Sequence, residues 1–95
     1  MRFRSLLLKL ARRSPHHRYH HAAIVAKGKS IYGVGINTGL HAEAIALHSA
    51  GLRARGCTLY TLMLRRDAKI GNATPCPRCM GLIRDAGIQR VIVYV

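Results

Sequence analysis

Acidic residues are almost missing from this 95-residue chain: Glu43, Asp67 and Asp85 are all there are, and Glu43 is the sole glutamate. Chemistry built on paired carboxylates is therefore close to excluded, which removes most glycosidase-type and two-metal phosphoryl-transfer schemes. Cysteine is scarce and odd in number, at Cys57, Cys76 and Cys79. An odd count does not suit a disulfide framework, and the N-terminus lacks a secretory cleavage pattern, so a reducing, cytoplasmic setting is expected. No apolar run approaches the roughly 20 residues that span a bilayer, so no transmembrane segment is expected. Tryptophan is absent, and the aromatics are limited to Phe3, Tyr19, Tyr32, Tyr60 and Tyr94. So few rings leave little stacking platform for a long single strand.

What the chain has in excess is positive charge. Sixteen Lys and Arg against three acids give a formal charge of +13. On so small a protein that balance points to a polyanionic partner, a nucleotide or single-stranded nucleic acid, and says nothing about fold. The length sets a prior of one domain, burying about 60–65% of its unfolded surface.

Met1 to Arg13 places Leu6, Leu7, Leu10 and Ala11 at helical spacing among basic residues. This predicts an amphipathic helix packed by its leucine stripe, with a membrane-surface anchor or transit peptide as the competing reading. Ser14-Pro15 stops it. His21 to Lys27 and Ser30 to Asn37 read as two strands of a hairpin turning at Gly28-Lys29. His41 to Ala50 favours helix, closed by Gly51, and Cys57 to Leu64 reads as a central strand. Arg65 to Thr74 is a loop or short hairpin extension; Pro77 and Gly87 bracket a second helix, Pro77 to Ala86; Ile88 to Val95 is the last strand. This order predicts a mixed sheet of about four strands with helices packed on its faces.

Two clusters carry chemistry: His41-Ala42-Glu43 and Pro75-Cys76-Pro77-Arg78-Cys79. Cys-x-x-Cys on a helical turn brings two sulfurs to one point, and the helix N-terminus favours thiolates. With His41 as the third ligand, one Zn²⁺ per chain keeps its fourth position for water, the arrangement of a catalytic zinc. Residues two apart point about 200° apart on a helix, so His41 and Glu43 share a site only if it lies beyond the helix N-terminus. There Glu43 would accept and return the proton of a bound water.

His-x-Glu followed by Pro-Cys-x-x-Cys resembles the zinc-dependent cytidine, deoxycytidylate and tRNA-adenosine deaminase superfamily, a signature that serves as a standard example of that chemistry. The resemblance covers residues 21 to 95, leaving 1 to 20 as a basic helix and His-rich linker ahead of the catalytic domain. It implies an α/β fold of cytidine-deaminase type, layered α-β-α, and ending at the fourth strand. It implies the metal ligands His41, Cys76 and Cys79 and the proton shuttle Glu43. Asn37 stands where the family has a substrate-contacting asparagine, and main-chain groups near Ala42 and Pro75 would line the pocket. The implied reaction is hydrolytic conversion of cytosine to uracil by zinc hydroxide; a tRNA-type adenosine deaminase is the alternative. From another class, a non-catalytic zinc-stabilised nucleic-acid-binding module is weighed, and the intact Glu43 argues against it.

Arg78, between the cysteines, is nearest the presumed pocket, and Arg53, Arg55, Arg65, Arg66 and Lys69 are candidate phosphate contacts. Family members usually continue past the fourth strand. A chain stopping at Val95 leaves an open pocket and an edge to be covered by the N-terminal helix or another subunit, so a homo-oligomer is open. Cys57 reads as a small buried hydrophobe and His48 as a surface or packed residue. The run His16 to His21 reads as partly solvated or phosphate-facing, and Gly33, Gly35 and Gly39 as the end of a hairpin.

Overall fold

A computed structural model describes residues 3–16 and 18–95. Its elements are α1 (Arg4–Ala11), β1 (Tyr19–Lys27), β2 (Ser30–Ile36), α2 (Ala42–Ala50), β3 (Thr58–Arg65), α3 (Pro77–Asp85) and β4 (Arg90–Val93), with a 3₁₀ turn at Gly51–Ala54. The four strands form one mixed sheet in the order β2-β1-β3-β4. β1 runs antiparallel to both β2 and β3, while β3 and β4 are parallel across the α3 crossover. The cytidine-deaminase-like architecture expected from the motifs is the one observed.

The central strand β1 explains the layering. Its residues 22 to 26 are all buried, because alternate side chains serve opposite cores. Ala22, Ile24 and Ala26 join Leu7 and Ala11 of α1, Leu62, Leu64 and Tyr94 on one face. Ala23 and Val25 join Ala42, Ala46 and Leu47 of α2, Leu59 and Ile83 of α3 on the other. Fully burying a leucine such as Leu7 contributes about 1.5–3 kcal/mol, so α1 is a structural layer of the domain. The helix is shorter than the Met1 to Arg13 expectation, whose first two residues lie outside the described ones. It packs on β1 and β3 rather than along the β4 edge.

Gly33 and Gly35, read from sequence as a hairpin end, set the depth of α2. A Cβ on Gly35 would meet the Ala42 carbonyl oxygen at 2.3 Å, and one on Gly33 the Ala46 carbonyl oxygen at 2.3 Å. Ala42, Ala46 and Ala50, at i, i+4 and i+8, form the matching smooth ridge. Small residues on both sides bring helix and strand backbones together.

β1 begins two residues earlier than expected, since Tyr19 and His20 pair with Arg65 and Leu64. Arg65 to Thr74 proves to be a hairpin extension in its first half: the Arg65 N–H donates to the Lys69 carbonyl, and Leu64 bridges Ile70. β4 is shorter than Ile88 to Val95: its ladder with β3 runs from Arg90 to Val93, flanked by bonds from the Gln89 N–H to the Cys57 carbonyl and from the Tyr94 N–H to the Thr61 carbonyl. Gly87 sits at φ 81° just past α3, a conformation that suits glycine and ends the helix. Among the described residues no helix is long and apolar enough to cross a membrane.

Candidate active site

β2 and β3 point the same way because both are antiparallel to β1. α2 follows β2 and α3 follows β3, so both helices begin at the same end of the sheet, where α/β proteins place their sites. His41 is the N-cap of α2 and Cys76 the N-cap of α3, each with extended backbone angles (φ −66°, ψ 141° and φ −68°, ψ 164°). Pro77 at the first helical position fixes the start of α3. Cys79, one turn in, is 2% exposed.

These three side chains converge. His41 Nδ1 lies 3.1 Å from Cys79 Sγ and 3.7 Å from Cys76 Sγ, and all three ligand atoms fall within 4.8 Å of one another. Ligand atoms around a tetrahedral zinc, at bonds of about 2.0–2.3 Å, lie roughly 3.5–3.8 Å apart, so the spacing fits. The electrostatics fit as well. Burial pushes the Cys79 thiol up to about 12, helped by Cys76 and the Glu43 carboxylate. The main-chain N–H of Cys79 holds the Cys76 thiol below its ordinary value, against desolvation. Burial therefore opposes ionisation at Cys79, while the helix start favours it at Cys76.

Glu43 completes the arrangement. It occupies the first turn of α2 and is 1% exposed, and its Oε1 has no hydrogen-bond partner. Burying a carboxylate in so cationic a chain without a donor is costly. The carboxylate is close enough to the cluster for its charge to act on the Cys79 thiol.

A cleft of about 420 Å³ touches this cluster at His41 and is lined also by Tyr19, His21, Asn37, Leu40 and Met63 among others. A smaller one, about 230 Å³, shares Gly39, Leu40 and His41 with it and is lined also by Arg78, Cys79 and Leu82. Asn37 and Arg78 therefore face different clefts. The Asn37 amide is also largely engaged within the protein. Its Oδ1 accepts from the His21 N–H at 2.9 Å and from the Ser14 hydroxyl, and its Nδ2 donates to the Tyr19 carbonyl at 2.8 Å. Ala42 and Pro75 are buried and line neither cleft.

The expected phosphate contacts divide. Arg65 and Arg66 line a third cleft, about 270 Å³, with Arg18, Tyr19 and Asp67, and Tyr19 is common to this and the larger cleft. Arg65 is paired with Asp67 at 3.4 Å. Lys69 sits in the adjoining hairpin extension. Arg53 and Arg55 follow the far end of α2, whose nine residues span roughly 13 Å at 1.5 Å each. Arg53 lies over the Tyr32 ring at 5.9 Å.

Thr61 carries no signal in the sequence, and Arg18, Tyr19 and His21 stand there within the run His16 to His21, read as partly solvated or phosphate-facing. His21 Nδ1 stands 3.7 Å from Glu43 Oε1, with 16% of its side chain exposed. Only the β1–β3 register carries that signal, which places Ala23 opposite Thr61 and His21 opposite Met63.

All 95 residues match the sequence profile of the cytidine and deoxycytidylate deaminase zinc-binding region. The chain belongs to that family. Among curated relatives, the riboflavin biosynthesis protein RibD of Aquifex aeolicus (strain VF5) is 39% identical over 74 residues, covering 75% of this chain and 20% of that protein. The diaminohydroxyphosphoribosylaminopyrimidine deaminase/5-amino-6-(5-phosphoribosylamino)uracil reductase of Thermotoga maritima is similar in structure, with a TM-score of 0.69 and 25% identity over 96% of this chain and 28% of that one. The apo dCMP deaminase of cyanophage S-TIM5 shares the fold, at TM-score 0.70 and 24% identity over 95% of this chain and 80% of that one. The deaminase-family chain thus spans about a fifth to a quarter of the RibD-type proteins it matches. As in the family's zinc-binding region, its histidine and two cysteines are positioned to hold a metal ion.

Proposed function

We propose that this chain is a zinc-dependent hydrolytic deaminase acting on cytosine, carried on a nucleotide or in single-stranded nucleic acid. The observation that carries the reading is the His41, Cys76 and Cys79 cluster with the buried, unsatisfied carboxylate of Glu43 beside it. Zinc held there supplies charge that lowers the pKa of a water toward neutrality. Glu43 would take one proton from the attacking water to the ring nitrogen and then carry a second, from the hydroxyl added to the ring, to the departing amine. His41, Cys76 and Cys79 are the ligands, each fixed by a helix start. The larger cleft receives the base. Asn37 reaches the substrate through the second N–H of its amide, and Arg78 stands at the smaller cleft that shares His41 with the larger one. Main-chain groups at Ala42 and Pro75 back the site.

Arg65 and Arg66, joined by Arg18 and with Lys69 on the adjoining hairpin, receive phosphate. Tyr19 and His21 are two apart on β1 and share a face, so this basic cleft begins roughly 7 Å along the strand from His21. Two of the similar proteins are named for deaminating pyrimidines on sugar phosphates, which agrees with a phosphate handle.

The test is ammonia release and uracil formation by zinc-loaded protein on dCMP, CMP, cytidine, single-stranded DNA and RNA over a salt series, with inosine formation on tRNA as a further arm. Turnover of a phosphorylated cytosine, lost in Glu43→Ala, supports the reading. Steep salt sensitivity selects the polymer. Inosine formation alone selects the adenosine alternative, and no turnover on any substrate rejects the enzyme.

A further inference from the structure

Among the described residues, Glu43 Oε1 is the one buried side-chain polar atom without a hydrogen-bond partner. The imidazole nitrogen facing it, His21 Nδ1, is 3.7 Å away, just beyond hydrogen-bond reach, and such contacts tighten when substrate binds. The rest of His21 is fixed. Its N–H donates to Asn37 Oδ1 at 2.9 Å and its carbonyl accepts from the Asn37 N–H at 3.2 Å. Its Nε2 is hydrogen-bonded to the hydroxyl of the fully buried Thr61.

The proton's position on this ring follows from its two neighbours. A hydroxyl both donates and accepts, whereas an ionised carboxylate only accepts. With the Thr61 hydroxyl donating to Nε2, the neutral ring carries its hydrogen on Nδ1, aimed at Glu43. The other tautomer turns a lone pair toward the carboxylate. The competing acceptor for Thr61, the Ala22 carbonyl, is at 3.4 Å and weak. Burial holds the imidazole below its ordinary value of 6.5, against the pull of Glu43, so the neutral ring is the relevant form at pH 7.

We propose that His21 is a positioning residue for Glu43, its Nδ1–H holding Oε1 so that the carboxylate has one orientation in which to move protons, with Thr61 fixing the tautomer. The proposal rests on the reading of Glu43 as the proton shuttle. His21 also lines the larger cleft beside Asn37 and His41, so the same ring borders the space taken by the base.

The experiment uses ¹⁵N-histidine-labelled full chain, zinc-free and zinc-loaded, with the variants His21→Asn, His21→Leu, Thr61→Val and Glu43→Gln. Asparagine keeps an N–H near the Nδ1 position, and leucine does not. We expect the His21 ring to show the Nδ1–H tautomer, to shift in Glu43→Gln, and to become mixed in Thr61→Val. We expect kcat in His21→Leu to fall about 10- to 100-fold, as for supporting partners of a metal site, with KM within about twofold and one zinc per chain retained. His21→Asn should restore most of that kcat. An Nε2–H tautomer in the wild type, unchanged kcat in His21→Leu, or no recovery in His21→Asn overturns the proposal. If no substrate is turned over, the function reading fails, and the NMR signature still decides the His21–Glu43 pairing.

Discussion

Gly35 of β2 and Ala42 of α2 meet backbone to backbone: a Cβ on the glycine would stand 2.3 Å from the alanine carbonyl oxygen and 2.7 Å from the Ala46 nitrogen. Ala42 lies between the ligand His41 and the buried Glu43, so this contact sets the position of both. Gly35→Ala should force α2 off the sheet, destabilise the protein by about 1–3 kcal/mol and weaken zinc binding. Gly81→Ala is the control, since a Cβ there meets nothing within 4 Å. In the interior of α3 it should stabilise by about 0.5–1 kcal/mol. Denaturant titration with zinc quantification checks both; a Gly35→Ala protein as stable as wild type would mean α2 is not seated by that contact.

Glu43→Gln should abolish deamination while leaving zinc stoichiometric. Its effect on stability should run the other way. Removing a buried charge whose Oε1 lacks a donor relieves a desolvation cost of about 1–3 kcal/mol, so the thermal midpoint should hold or rise. Differential scanning calorimetry of the two zinc-loaded proteins decides; a marked fall would show that the carboxylate is satisfied in solution.

Chelation should destabilise this domain markedly, because ligand-linked stability follows RT ln(1 + [L]/Kd), about 2.7 kcal/mol at a hundredfold excess over Kd. Cys76→Ser and Cys79→Ser should resemble the chelated wild type and no longer respond to added zinc. Cys57→Ser should still respond, since Cys57 is buried in the α2 core, its thiol directed at the Arg53 carbonyl at 3.0 Å. Metal analysis beside melting curves separates these outcomes, and a zinc response surviving in Cys79→Ser would contradict the ligand set.

Acid should loosen the zinc-free fold at a window set by His21. Burial lowers its folded-state value below 6.5, ahead of the opposing pull of Glu43. Between that lowered value and about 6.5 the unfolded chain binds more protons than the folded one. Stability is therefore fully present above about pH 6.5 and falls as pH drops through the window. Denaturant midpoints from pH 7.5 to 5.5 should decline in the wild type and flatten in His21→Asn. Parallel profiles would show that the imidazole is not desolvated.

The motifs were legible because their logic is local. His41-Ala42-Glu43 and Cys76-Pro77-Arg78-Cys79 each lie within one helical turn, and the caps, prolines and glycines that place those turns are local too. The unbroken apolar run Ala22 to Ala26 reads as a buried strand, and the order of strands and helices implies helices on the faces of the sheet.

Other features depended on pairing between distant segments. His21 sits in a run that reads as partly solvated or phosphate-facing, and its neighbour Thr61 is 40 positions away. Arg65 and Arg53 look equivalent as charges, yet one ends at the cleft mouth and the other beyond the far end of α2. Asn37 reads as a substrate contact, and only the fold shows that its amide also clamps the start of β1.

By itself the sequence determined which side chains could meet at one helix start, since 3.6 residues per turn and backbone capping are properties of neighbours along the chain. Tertiary structure alone decided which face of β1 meets Glu43, how closely α2 approaches β2, and which cations share a cleft. Strand register and packing depth are set by contacts between segments tens of residues apart, and no periodicity along the chain encodes them.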